Sequence, residues 1–418
     1  MTQRVRLKPH HWLSKLINFV SFEQRLAKRL ADQQSAGRTR VQALVSERAG
    51  ANQSVAGLTL INFCSNDYLG LTEHPALKDA AIAAATKWGV GSGAAHLVSG
   101  HSEHHGALET AIAKATGYER AILFSTGYMA NMALATALVE PGQWLLGDKL
   151  NHASIIDGCL LAGSKSTKRV FYRYNHADCA HLETLLQKAP KHSVVITDGV
   201  FSMDGDIAPL GEMSALCHQY EALLVVDDAH GFGALSSGAG CVTRLGLSAS
   251  DVPVYMGTLG KAAGSFGAFV AGSDTVIEAL LQFARPYIYT TALPPMVAAA
   301  SLAAVKIIAD KTSSEGDILR AKLAKNIALF RARMAHLGDR LMPSMTAIQP
   351  VVVGEEMATM NIAASLKALG FWVGAIRPPT VPIGSSRLRI TLSAAHTEEQ
   401  VAALCDALDA ALGAQAND

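Results

Sequence analysis

Leu223-Leu224-Val225-Val226-Asp227-Asp228-Ala229-His230-Gly231 reads as a short apolar strand that ends in a carboxylate, with an imidazole three residues further on. An unbroken apolar run containing β-branched residues suits a strand covered on both faces, as in a parallel sheet. The pattern recurs on either side. Residues 121–124, 144–147, 193–197 and 254–257 are short apolar stretches, and helices open near Gly127 and Ser154 between them. Such alternation predicts an open α/β sheet. The chemistry of these sheets collects at the carboxyl ends of the strands, where Asp227 and most of the residues singled out below fall.

Working outward, residues 22–34 carry an amphipathic helical pattern around Leu26 and Leu30, and residues 38–57 read as an irregular arm. A short strand over 58–63 and an Ala-rich helix over 75–88 follow, then a Gly-rich loop over 89–93. A break at 290–295 opens a second section. It has long helices over 296–310 and 317–337, strands over 347–353, 372–376 and 387–392, a helix to Leu369 and a last helix over 397–412. The expected division is an N-terminal helix and arm (1–57), a large α/β domain with a mostly parallel central sheet (58–295) and a smaller α+β C-terminal domain (296–418).

Thirty-six basic residues against 35 acidic ones leave a net charge of +1, which gives neither nucleic acid nor an anionic membrane a reason to bind. Low charge and an apolar share of 50% suit a subunit that buries surface in an oligomer. The six cysteines are scattered without a C-x-x-C pair, so neither a disulfide framework nor a zinc site is expected, and a reducing, cytoplasmic location is. No uncharged apolar stretch reaches the roughly 18 residues of a membrane span. The nearest, residues 291–305, opens with Pro294 and Pro295 and is closed by Lys306.

A carboxylate at a strand end can hold a pyridine nitrogen protonated, which makes the ring of pyridoxal 5′-phosphate (PLP) an electron sink. Asp227 suits that role, and His230 can reach the 3-oxygen of the same ring. Taken alone, the motif is equally a helix-capping Asp beside an exposed His. Thr258-Leu259-Gly260-Lys261 follows another strand. A lysine there can form an imine with an aldehyde if burial or nearby cations lower its pKa, and Thr258 can offer a hydroxyl to a phosphate. The competing reading is a lysine on a solvated loop. A Walker A loop is excluded, because Gly257 and Gly260 enclose two residues where four are needed. A dinucleotide fingerprint at Gly91-Ser92-Gly93 fails because His96 stands where its third Gly belongs.

Ser125-Thr126-Gly127-Tyr128 opens a helix whose amides can hold the phosphate. Asn151-His152-Ala153-Ser154 opens another, with His152 able to stack on a ring or the group simply capping the helix. Residues 198–205, Asp-Gly-Val-Phe-Ser-Met-Asp-Gly, place Ser202 on a turn that can donate to the 3-oxygen, or form an ordinary Asp/Gly turn. The order of these groups, rather than any single one, selects the PLP reading. His101, His104 and His105 lack both H-E-x-x-H and H-x-x-E-H spacing, so no metal is expected and a helix start with solvated histidines is.

On Ser65-Asn66-Asp67-Tyr68-Leu69-Gly70-Leu71, the 198–205 turn, Asp227-Asp228-Ala229-His230-Gly231 and Thr258-Leu259-Gly260-Lys261, the chain resembles the α-oxoamine synthases of PLP fold type I over about residues 62–392. Residues 347–350, 375–382 and 387–396 resemble the branch that condenses L-alanine with pimeloyl-CoA or pimeloyl carrier protein. The resemblance implies an acyltransferase with Lys261 as Schiff-base lysine and α-proton base, Asp227 on the pyridinium, His152 over the ring, and His230 and Ser202 at the 3-oxygen. It implies Gly127, Tyr128 and Thr258 around the phosphate, Arg389 on a substrate carboxylate, Asn66 lining the site and Thr380 near the acyl chain. Arg40, with Arg38 as its rival, would touch substrate from the arm. The family's homodimers would bring Thr290 and Thr291 to the partner's phosphate. Ala95 stands where the family has a hydroxyl, and Asp198 where Glu is common. A glycine-using sister such as 2-amino-3-ketobutyrate CoA ligase therefore remains an alternative, as does a non-catalytic PLP-binding protein.

Overall fold

The computed structural model describes residues 10–163, 171–310, 312 and 314–415. Near the N-terminus, β1 (Val45–Ala49), β2 (Asn52–Val55) and β3 (Leu58–Asn62) form an antiparallel meander. The irregular arm expected over 38–57 is thus largely a hairpin. Its strands are too polar to flag themselves. Only Gln53 and Val55 of β2 turn inward, and Gly50, at φ +58°, supplies the left-handed turn before Ala51.

The central sheet contains β4 (Arg120–Phe124), β5 (Leu145–Asp148), β6 (Phe171–Tyr174), β7 (Val194–Asp198), β8 (Leu223–Asp227), β9 (Val254–Thr258) and β10 (Ala268–Gly272). Their spatial order is β4-β10-β9-β8-β7-β5-β6. Strands β5 to β9 pair in parallel, as their apolar runs predict. Strand β10 is antiparallel to both neighbours and was not legible in the sequence. It is a five-residue run behind a Gly-rich loop, and it becomes a strand through the partners on either side.

Alternate residues of each strand feed opposite layers. Val195, Val226, Tyr255 and Phe269 pack on one face with Leu108, Met213 and Ala298 from the covering helices. Ile196, Val225, Met256 and Val270 pack on the other with Leu134, Ile155 and Leu280. Both faces are dry, which explains why the strands carry almost no polar residue until their last position.

The C-terminal section holds β11 (Ile348–Gly354), β12 (Phe371–Trp372), β13 (Gly374–Ile376) and β14 (Ser386–Thr391). The single strand expected over 372–376 is divided. Strand β12 joins β3 in parallel, while β13 pairs with β14 in a second sheet ordered β11-β14-β13. Gly374 sits at this switch, where an added Cβ would lie 3.3 Å from the Arg389 carbonyl. The pairing sews the N-terminal strands to the C-terminal section. It is reinforced by Thr391 N–H to Phe63 O at 2.7 Å, Ser393 Oγ to Asp67 O at 2.6 Å and Ala394 N–H to Tyr68 O at 2.8 Å. The 62–71 loop is thereby fixed beside β14. Among the described residues, no helix is long and apolar enough to cross a membrane.

Candidate active site

Parallel strands β5, β7, β8 and β9 end at Asp148, Asp198, Asp227 and Thr258, so three carboxylates line one edge of the sheet. Asp198 and Asp227 are register partners on neighbouring strands, and both are buried. Asp227 accepts from Asn131 Nδ2 at 2.7 Å and from the Ala229 amide at 2.9 Å. Among the described residues, no Lys, Arg or His nitrogen lies within 4 Å of it, and these two hydrogen bonds are its direct partners. Asn131 sits inside the largely apolar helix Gly127–Ala137 and was missed in the sequence. A buried amide in such a helix is the signal that could have found it.

Asp198 accepts the His152 amide at 2.6 Å. Burial, and then the neighbouring Asp227 charge, push its carboxyl well above the usual range. His152 Nδ1 meets Ser154 Oγ at 2.7 Å, and the same hydroxyl accepts from Asn131 Nδ2 at 2.9 Å. His152 stands at the open end of the sheet, with its ring contact to Ser154 partly buried. Burial lowers the His152 pKa, leaving an uncharged ring.

Lys261 follows β9 and places Nζ 2.8 Å from His230 Nε2. Burial lowers the lysine to about 8, against the attraction of Asp227 and Asp198. About a tenth of it is then the free amine at neutral pH, a few-hundred-fold more than for a solvated lysine. Burial and the Lys261 charge hold His230 far below its ordinary value, so its ring is neutral. His230 Nδ1 meets the Tyr68 hydroxyl at 2.5 Å.

Arg387 and Arg389 alternate with the fully buried Leu388 and Ile390 on β14 and share its other face. Arg387 pairs with Asp204. Arg389 donates Nε to the Ser202 carbonyl at 2.6 Å, and Nη1 to Thr391 Oγ1 at 3.2 Å. Both of its terminal nitrogens reach Asn66 Oδ1 at 3.4 Å. Among the described residues no carboxylate lies within 4 Å of Arg389, so a buried guanidinium faces the site without a counter-charge.

The remaining sequence candidates are distributed as follows. Gly127 begins its helix where an added Cβ would meet Met256 Cε at 2.8 Å. Thr126 caps the Met129 amide at 3.2 Å, which leaves the Gly127 and Tyr128 amides at the open helix end. The Tyr128 hydroxyl donates to Asp157. Thr258 donates its hydroxyl to Gly267 O at 2.9 Å and accepts the Gly260 amide at 3.3 Å, so its proton is already committed. The Thr291 carbonyl lies 3.5 Å from Ser125 Oγ, and Thr290 lines the same small cleft. Thr380 and Arg40 are exposed on the C-terminal section and the arm. The arm touches Arg377 through the Thr39 carbonyl at 3.1 Å, while Arg38 is paired with Glu356 at 3.2 Å.

Within the histidine cluster, His105 corrects the expectation of solvated rings, while His101 is exposed and His104 half-buried. His105 is fully buried and meets Leu293 O at 2.6 Å, and His96 stacks on Tyr287. Helical spacing turned this side chain toward the 291–293 segment, which the sequence alone could not place. Elsewhere, His176, Asp204 and Asp206 bring ligand-type atoms within 4.8 Å of one another. Arg387 on Asp204 and a bridging His176 between Asp148 and Asp206 match those charges inside the protein.

The aminotransferase class I and II family model matches residues 58–408. An 8-amino-7-oxononanoate synthase of Saccharophagus degradans is 49% identical over 393 residues, covering 93% of this chain and 96% of its own. One from Cellvibrio japonicus is 50% identical, covering 92% and 95%. Among solved structures, the Sphingomonas wittichii serine palmitoyltransferase superposes with a TM-score of 0.86 at 29% identity, covering 94% and 98%. A serine palmitoyltransferase variant from S. paucimobilis with a bound PLP–myriocin aldimine gives 0.85 at 28%, covering 94% and 99%. The Francisella tularensis 8-amino-7-oxononanoate synthase gives 0.71 at 30%, covering 85% and 98%.

Proposed function

Because this chain belongs to the class I and II aminotransferase family and, within it, to the 8-amino-7-oxononanoate synthases, we propose that the cluster around Lys261 is where L-alanine is acylated. The enzyme is a PLP-dependent acyltransferase of biotin biosynthesis. L-Alanine and pimeloyl-CoA, or pimeloyl carrier protein, give 8-amino-7-oxononanoate, the free thiol carrier and CO2.

The residues fit PLP. Asp227 is a buried carboxylate without a cation on it, which suits a protonated ring nitrogen. The open amides at Gly127 and Tyr128 suit the phosphate. Lys261 combines burial with a pKa near 8, which suits an amine that must both attack and carry protons. When bound, PLP supplies the electron sink that lets the α-carbon of an amino acid act as a nucleophile. Lys261 would hold the cofactor and then move the α-proton. His152 would cover the ring, with His230 and Ser202 at the 3-oxygen and Thr258 near the phosphate.

Arg389 would take the alanine carboxylate, since a buried fork without a counter-charge gains most from a bidentate anion. Asn66 would line that subsite, and Thr380 and Arg40 would face the acyl chain. Phe22, Leu26 and Leu30 form an exposed apolar stripe on the N-terminal helix. A second copy of the chain would cover it, with Thr290 and Thr291 reaching the partner's phosphate.

The observation that carries this reading is the convergence of a low-pKa lysine, a buried carboxylate with no cation within 4 Å and a buried guanidinium with no carboxylate within 4 Å. The test is thiol release by purified protein across alanine and glycine, each with pimeloyl-CoA and acetyl-CoA. Turnover should require alanine with the pimeloyl thioester, and Lys261→Ala should lose both turnover and visible absorption. Turnover restricted to glycine with acetyl-CoA would overturn the substrate reading. Full activity of Lys261→Ala would overturn the chemistry.

A further inference from the structure

Tyr68 belongs to none of the roles above, yet it is fully buried and stands between the two halves of the site. Its hydroxyl meets His230 Nδ1 at 2.5 Å and Asn66 Oδ1 at 3.3 Å. Asn66 Oδ1 also receives both terminal nitrogens of Arg389, and His230 Nε2 meets Lys261 Nζ. One unbroken path of polar contacts therefore runs from Lys261 through His230, Tyr68 and Asn66 to Arg389.

We propose that Tyr68 is a positioning residue that sets which nitrogen of His230 carries the proton, and so links the lysine end of the site to the carboxylate end. The reason is a count of protons. A neutral imidazole has one N–H and one acceptor nitrogen. When Lys261 is an ammonium and donates to Nε2, Nδ1 must carry the proton and Tyr68 must accept it. The phenol proton then turns to Asn66. When an anionic oxygen stands opposite Nε2 instead, Nε2 must donate. Tyr68 then rotates its proton onto Nδ1 and leaves Asn66 to Arg389.

A hydroxyl serves both states because it donates and accepts. Phenylalanine serves neither. The phenol stays protonated throughout, since burial raises Tyr68 to about 12. The titratable groups facing this path are Lys261, Arg389 and His152 toward His230, with Asp227 at the end of β8 and Asp228 just after it.

This inference rests on the PLP reading, and its test separates the two. The visible absorption of the holoenzyme is titrated with pH in wild type, in Tyr68→Phe and in protein carrying 3-fluorotyrosine at position 68. Loss of the phenol weakens the Nε2–H donor, so the cofactor's neighbouring proton is held more tightly. The midpoint in Tyr68→Phe should rise by about half to one pH unit, the size of one ordinary hydrogen bond. Turnover should fall about tenfold in kcat. The fluorinated phenol should restore the wild-type midpoint to within about 0.3 unit, because it keeps the hydroxyl. A Tyr68→Phe midpoint superposed on wild type, whether or not its stability falls, would overturn the proposal. Wild-type protein with no visible absorption and no alanine turnover would instead overturn the reading beneath it.

Discussion

Asp198 and Asp227 end adjacent parallel strands as direct register partners, both buried, with only one of them needed as an anion. Two like charges so placed repel strongly. Asp198 resolves the conflict by keeping its proton, and in that form it still accepts the His152 amide.

Asp198→Asn should therefore be tolerated where Asp227→Asn is not. The folded-state pKa of Asp198 is raised, so its favourable contribution is complete below its unfolded value near 4 and is lost as pH rises toward the folded one. Removing that titration should leave the apoprotein about as stable as wild type near pH 4 and increasingly more stable than wild type as pH rises above it. Thermal melts across pH measure this. Equilibrium dialysis of PLP should show Asp227→Asn weakened roughly 100-fold and Asp198→Asn by less than about fivefold. Equal losses would contradict the division of charge.

Arg389→Lys should raise the KM for L-alanine. A lysine keeps the charge and loses the planar fork, and it cannot reach Ser202, Thr391 and a carboxylate together. About 100-fold in kcat/KM, or roughly 2.7 kcal/mol, is the expected loss, with most of it in KM. Steady-state kinetics with alanine varied at saturating thioester checks it. An effect confined to the thioester KM would place Arg389 at the wrong substrate.

His176 should stabilise the fold up to alkaline pH. Burial opposes its charge, but hydrogen bonds to Asp148 at 3.1 Å and Asp206 at 2.9 Å outweigh it and hold the ring up to about 10. A raised folded pKa gives stability that is complete below about pH 6.5 and disappears as pH rises through about 10. Discounting for partial solvent screening, His176→Gln should cost about 2 kcal/mol at pH 6 and little at pH 10.5. Urea unfolding at the two pH values decides the matter. A cost that does not change with pH would mean packing rather than charge.

Gly240→Ala should cripple folding, whereas Gly246→Ala should not. At Gly240, φ is +86° and an added Cβ would lie 1.8 Å from Asp228 Oδ2 and 2.5 Å from the Tyr255 hydroxyl. Asp228 holds the loop carrying His230 by accepting the Cys241 amide and the Tyr255 hydroxyl at 2.7 and 2.8 Å. Displacing that carboxylate leaves buried groups unpaired, at more than about 3 kcal/mol. Gly246 has φ +72° but nothing within 4 Å, so Ala there meets only the backbone penalty of about 1 to 2 kcal/mol. Soluble yield and urea midpoints of the two variants should differ accordingly.

The sequence by itself determined the strand-and-helix alternation, the parallel character of β7, β8 and β9, and the candidate chemistry at Asp227, His230 and Lys261. Those features are local. A doubly covered strand must be apolar along its length, and a reactive group can appear only where the strand ends, so both are written in consecutive residues. Tertiary structure decided the antiparallel β10, the division of 372–376 between two sheets and the burial of His105. It also brought Asn131 to Asp227 and Tyr68 to His230 across 96 and 162 residues. An amide in an apolar helix or a tyrosine in a loop has no local mark of its partner. The hydrogen bond exists only once burial has removed water and left each polar group one neighbour to satisfy it.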